Sequence, residues 1–129
     1  MSYYTAKVTE VYASLGIPEY IYVRVRDSKH FMEASFADKI ELDSIAAAAC
    51  MSRFHYIRTF QQIYGLSPRK FLKDIRIRNA MLFLKDGVPV NMVCARVGYD
   101  SLPTFCSAFR KGTGFSPKAF QKRHNSNPE

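Results

Sequence analysis

The stretch Ser67–Asp86, SPRKFLKDIRIRNAMLFLKD, decides how this chain of 129 residues folds. It opens with Ser-Pro, and proline suits the first helical position because it has no amide to leave unpaired and its φ is already helical. Phe71, Leu72, Ile75, Ala80, Leu82, Phe83 and Leu84 give the helix apolar faces towards two neighbours. Asp86 and Gly87 close it, and Pro89 begins the next unit of the chain. One long basic and apolar helix between two similar units is the predicted plan.

The similarity of those units is visible in the sequence. Shifted by 49 residues, Ser52, Tyr56, Phe60, Gly65, Ser67, Pro68 and Phe71 fall on Ser101, Phe105, Phe109, Gly114, Ser116, Pro117 and Phe120. Upstream of the serines the shift is 48, which brings Leu42, Ile45, Ala46 and Ala49 onto Val90, Val93, Cys94 and Val97. One residue is therefore inserted in the second turn, and a single supersecondary unit is used twice.

Each copy has a short amphipathic helix, a tight connection and a serine. The serine hydroxyl accepts a hydrogen bond from an unpaired first-turn amide, so it starts a second helix. In the first copy the supporting helix begins near Glu41, Cys50 and Met51 form the connection, and the helix from Ser52 ends before Gly65. In the second, Val90 to Val97 supports, Gly98 to Asp100 turn, and a helix runs from Ser101 to about Lys111, followed by a last helix over Gly114 to Arg123. This is the helix-turn-helix pattern.

Upstream, Val25, Ser28, Phe31, Met32, Ser35 and Phe36 predict a helix from about Tyr22 to Ala37, although YIYVRVR (Tyr20–Arg26) alternates like a strand. Tyr3, Tyr4, Val8, Val11, Tyr12 and Leu15 line one face of a short helix that Gly16 and Pro18 end, a packing arm. The expected organisation is all-α: an arm over residues 1–21, a first subdomain over 22–66, the linker helix over 67–87, a second subdomain over 88–124 and a frayed tail over 125–129.

Composition narrows the function. Nineteen Lys and Arg against 11 Asp and Glu give a formal charge of +8, which favours a polyanion, nucleic acid before an anionic membrane surface. No run approaches the roughly 18 apolar residues of a membrane span, and no secretory signal is legible. A cytoplasmic protein without a membrane partner is expected. Cys50, Cys94 and Cys106 are widely spaced with no C-x-x-C pair, so they are taken as reduced, small, mostly buried or groove-facing thiols. Nothing brings them to His55 or His124 as a base. Gly112 and Gly114 lack the third glycine and the strand of a phosphate loop, and no metal set or carboxylate pair is evident, so neither enzyme nor cofactor is expected.

Helical geometry, about 100° per residue, says which side chains face outward. With Tyr56 as origin, Thr59, Phe60 and Ile63 lie within about 60° and form the buried stripe. Phe54, Ile57, Arg58 and Gln61 lie opposite. An outward face with a phenylalanine and an isoleucine beside an arginine suits a DNA major groove, where apolar groups meet thymine methyls and arginine bridges guanine O6 and N7. Ser52, Arg53 and Gln61 sit at its rim as phosphate contacts. In the second copy the outward set is Leu102, Pro103, Thr104, Cys106, Ser107 and Arg110. These are small or weakly polar, so this helix is expected to read less sequence and to hold phosphates through Ser101, Thr104 and Arg110.

These runs, LDSIAAAACMSRFHYIRTFQQIYGLSPRKFLKDIRIRNAMLFL and PVNMVCARVGYDSLPTFCSAFRKGTGFSPKAF, resemble the DNA-binding domain of AraC/XylS-type transcription regulators over roughly Val25 to Arg123. The resemblance implies seven helices: two homeodomain-like helix-turn-helix subdomains joined by the linker, a monomer placing its recognition helices in two successive major grooves. About 17 linker residues span about 26 Å, comparable with one duplex turn once the subdomains' offsets are added. It also implies base contacts from Phe54, Ile57 and Arg58 in the first recognition helix and from Leu102, Pro103, Thr104, Cys106 and Ser107 in the second. Arg76 falls on the family's linker arginine, a structural residue. Cys94 departs from the usual alanine, and Pro103 from a small polar residue, though within a first turn that tolerates proline. The resemblance is closest to standalone members.

The function expected is a sequence-specific double-stranded DNA-binding transcription regulator, an activator that also touches RNA polymerase. The alternatives are a protein-interaction module of the same fold with lost base readout, or a fragment of a larger ligand-responsive regulator.

Overall fold

The structure, a computed structural model, describes residues 15–125, and among these it has seven α-helices. They are α1 (Glu19–Ser35), α2 (Leu42–Ala48), α3 (Arg53–Tyr64), α4 (Pro68–Lys85), α5 (Val90–Arg96), α6 (Leu102–Thr113) and α7 (Pro117–Asn125). No strand occurs among the described residues, so the all-α reading holds. The expected N-terminal arm helix, save Leu15, and the tail beyond Asn125 lie outside them.

The described residues divide into two compact units, one of residues 15–34 and 40–70, the other of 35–39 and 71–125. In the first, α1 buries Ile21, Val25, Ser28 and Met32 at spacings of three and four. That helical period overrides the strand-like alternation at its start, because burial goes to the residues that recur on one face. The helix begins at Glu19 rather than Tyr22, with the Pro18 carbonyl accepting from the amides of Ile21 and Tyr22 at 3.1 Å. Phe31, expected among the inward residues, is 48% exposed.

Ile45 and Ala46 of α2 meet the buried face of α3, where Tyr56 and Phe60 are wholly inaccessible. The Ser28 hydroxyl donates to the Val25 carbonyl, which leaves its oxygen to accept from the Tyr56 phenol at 2.7 Å. The buried phenol is thereby satisfied. Burial pushes its pKa up, against the smaller lowering effect of the Ser28 bond.

The second unit is built the same way. Its core gathers Ile77, Ala80 and Leu84 of α4, Val93 and Cys94 of α5 with Val97, Phe105, Ala108 and Phe109 of α6, and Phe120 of α7. Gln121 donates through Nε2 to the carbonyls of Leu84 and Val88 at 3.2 and 2.7 Å, which satisfies the open end of α4. Arg76 donates through Nε to the Phe36 carbonyl at 2.8 Å and through its terminal nitrogen to that of Asp38 at 3.0 Å. The arginine is thus structural: it holds the backbone just past the end of α1, which stops at Ser35 short of Ala37. At the other end α7 continues to Asn125, whose amide reaches the Leu84 carbonyl at 3.5 Å, beyond the expected end at Arg123.

The turns locate the inserted residue. Cys50 and Gly98 both have left-handed backbone, φ 57° and 94°. The next amides, Met51 and Tyr99, donate to the carbonyls of Ala46 and Cys94 at 2.9 and 3.0 Å. The two turns therefore match through Tyr99, and Asp100 is the extra residue. A Cβ on Gly98 would lie 2.8 Å from the Ala37 carbonyl oxygen, whereas Cys50 carries its own Cβ in an exposed turn. Gly98→Ala should then cost about 1–3 kcal/mol, and Cys50→Gly should cost nothing or stabilise by up to about 1 kcal/mol. Urea unfolding of both variants checks this, and equal costs would contradict it.

Candidate nucleic-acid interface

The second helix of each unit starts from a serine whose hydroxyl is already committed. Ser52 Oγ accepts from the His55 amide at 3.2 Å, and Ser101 Oγ accepts from the Thr104 amide at 3.4 Å. Each serine keeps its own proton, so an anion at the helix start could still receive a hydrogen bond from it. Glycines at φ 79° and 84°, Gly65 and Gly114, end α3 and α6 in the same left-handed cap. The next helices, α4 and α7, repeat the Ser-Pro start, with Ser67 and Ser116 accepting from the amides of Lys70 and Ala119 at 3.1 Å.

With Tyr56, Thr59 and Phe60 buried, the opposite side of α3 is open. Phe54 is 81% exposed, Arg53, Arg58 and Gln61 are exposed, and Ile57 is half-buried at the edge. No acidic residue lies in the helix, so its outer face is apolar and cationic. The Arg53 guanidinium meets the Asp43 carboxylate of α2 at 3.4 Å. Both groups are about half exposed or more, so the pair is worth little and a phosphate can displace the carboxylate.

Sequence spacing did not single out Asp43, because the pairing crosses the turn. It also passed over His55, which is exposed in the first turn of α3. With Arg58 and Gln62, His55 lines one flank of a cavity of about 200 Å³ whose other wall is Ile17, Pro18 and Ile21. Ile63, placed in the buried stripe by geometry, is only half-buried.

On α6, Phe105, Ala108 and Phe109 are buried and the expected outward residues are exposed, except that Cys106 is half-buried. Pro103 sits within the first turn and leaves the helix intact. Leu102 is 44% exposed. The Thr104 hydroxyl donates to Ser101 Oγ at 3.3 Å, which ties those two side chains together at the helix start. Thus the structure brings Phe54, Ile57, Arg58 and Gln61 onto one side of α3 with Ser52 and Arg53 at its start, and Ser101, Leu102, Pro103, Thr104, Cys106, Ser107 and Arg110 onto the outer side and start of α6.

The thiols are less uniform than expected. Cys94 is buried and its Sγ donates to the Tyr99 carbonyl at 3.6 Å. Burial raises its pKa, reinforced by Cys106 and then Asp100 nearby, the reverse of an activated nucleophile. Cys50, by contrast, is exposed in its turn rather than buried.

The chain matches the family described as a helix-turn-helix domain over residues 45–123. It is 33% identical over 100 residues to the arabinose operon regulatory protein of Salmonella typhimurium, covering 76% of this chain and 36% of that protein. Its structure is similar to the C-terminal domain of AraT, a response regulator from Geobacillus stearothermophilus, with a TM-score of 0.74 and 28% identity over 78% of this chain and 84% of that one. It shares a fold with the DNA-binding domain of AdpA, solved with a target DNA, at a TM-score of 0.76 and 24% identity over 79% and 93% of the two chains. The chain belongs to the AraC-type helix-turn-helix family. It spans between 28% and 44% of the length of the first four curated relatives.

The thiol environments predict a reactivity order. Under iodoacetamide at neutral pH, Cys50 should be modified first, Cys106 next and Cys94 last by a wide margin. Peptide mass spectrometry over time reads the order, and modification of Cys94 as fast as Cys50 would contradict it.

Proposed function

We propose that the chain is the sequence-specific double-stranded DNA-binding module of a transcription regulator, which acts in the cytoplasm and binds as a monomer. Each unit inserts one helix into the major groove, α3 into one segment and α6 into the next. The observation that carries this reading is the outer face of α3: Phe54 at 81% exposure beside Arg58, on a helix without a single acidic residue. The overall charge of +8 supports a polyanion as the partner. Family membership supports the same assignment.

Within this proposal the two faces do different work. Phe54, Ile57 and Arg58 read bases, Arg58 forking onto guanine O6 and N7. Ser52, Arg53 and Gln61 hold phosphates. On α6, Ser101 and Arg110 hold phosphates while Leu102, Pro103, Thr104, Cys106 and Ser107 give weaker base discrimination. The sign of regulation proposed is activation. Leu82 and Met92 of the second unit, 56% and 43% exposed and neither on α6, supply apolar surface for contact with RNA polymerase. Among the described residues no helix is long and apolar enough to cross a membrane.

Two measurements test this. Affinity for duplex DNA should fall steeply as salt rises, because each neutralised phosphate releases counterions. Arg58→Ala should cost about 1–3 kcal/mol on the preferred site and relax one base position. An affinity for duplex independent of salt, or an Arg58→Ala variant with an unchanged site preference, would contradict the assignment. Failure to bind duplex at all would favour an apolar protein partner for the Phe54 face.

A further inference from the structure

Positions 54, 57 and 58 lie three and four residues apart and so share one side of α3. Their counterparts in the repeat are Pro103, Cys106 and Ser107 on α6. At the first two positions both copies present carbon or sulfur rather than a hydrogen-bonding fork. Phe54 is the extreme case, 81% exposed while Tyr56 and Phe60 on the same helix are fully covered.

The chemistry of the major-groove edge limits what such groups can read. Adenine, guanine and cytosine present ring nitrogen, carbonyl oxygen or amino groups there, and thymine adds a C5-methyl group. A phenyl ring and a sec-butyl group have nothing to offer a donor or an acceptor, but they exclude water from a methyl. The C5-methyl of 5-methylcytosine occupies the same place on the pyrimidine ring as that of thymine. Arg58, with no acidic residue on α3, makes this apolar face complementary to a polyanion rather than to an apolar protein surface.

We propose that Phe54 and Ile57 read the C5-methyl group of a pyrimidine, whichever base carries it, beside a guanine held by Arg58, so that binding responds to cytosine C5 methylation. This rests on DNA binding being the function of the chain. Thymine and 5-methylcytosine become equivalent to these side chains, and unmethylated cytosine and uracil become equally poor.

The test uses a duplex enriched by the full chain from a random pool. Each thymine is replaced in turn by uracil, which removes the methyl and nothing else. Removing one buried methyl should weaken binding about fourfold at one or two positions. At such a position the T·A pair is then replaced by C·G and by 5-methylcytosine·G, and the methylated duplex should bind better than the unmethylated one by the same factor. Phe54→Ala should bring both ratios to one, Phe54→Leu should keep them, and neither change should alter the salt dependence. Thermal unfolding of the two variants, at a site already in solvent, should match the parent.

Ratios of one throughout, in a protein that still prefers its duplex to a scrambled one, would overturn the methyl reading and leave DNA recognition standing. A thymine effect without a 5-methylcytosine effect would also overturn it. No preference over the scrambled duplex would instead sink the sequence-specific reading on which the proposal rests.

Discussion

The structure depends on a pair of aromatic rings one helical turn apart, used twice. Tyr56 and Phe60 lie with centroids 5.9 Å apart and planes at 55°, and Phe105 and Phe109 have the same separation and the same angle. All four are fully buried. Covering such a ring is worth about 2–3 kcal/mol, so a helix turned the wrong way forfeits about 5 kcal/mol, comparable with the whole stability of a small domain. The outward direction of Phe54 and Arg58, or of Pro103 and Ser107, is therefore set by what the opposite side must bury.

Local chemistry fixes where each of these helices begins. A left-handed residue turns the chain, a serine caps the first amides, and a left-handed glycine closes the last turn. The copies differ where a neighbour comes close. Glycine is required at position 98 because the Ala37 carbonyl leaves no room for a Cβ, while the exposed first turn accepts a cysteine. The faces presented by these near-identical frames are unequal, an aromatic, an aliphatic and a guanidinium on α3 against a proline, a thiol and a hydroxyl on α6. The two copies share a frame and differ in what it displays.

The sequence made the frame legible because its signals are local: helical spacing of apolar residues, Ser-x-x caps, and a repeat with one insertion. What it hid arises from contacts across long sequence separations. The clasp on the backbone past α1 comes from Arg76, 40 positions on from Phe36, donating to the Phe36 and Asp38 carbonyls. Asp43 meets Arg53 only because the turn folds α2 back beside α3. Rotation alone puts Ile57 and Cys106 outward, yet both are half-buried, since they stand at the edge of the packed face. Cys50, taken with the other thiols as mostly buried or groove-facing, is exposed in a left-handed turn whose φ no local sequence signal announces.

The most direct test is selection of bound duplexes from a random pool of about three helical turns by the purified chain at physiological salt. Two unequal sequence boxes one turn apart, the first sharp and the second blurred, are the predicted result. Failure to enrich any sequence would contradict the assignment of α3 and α6 as base-reading helices.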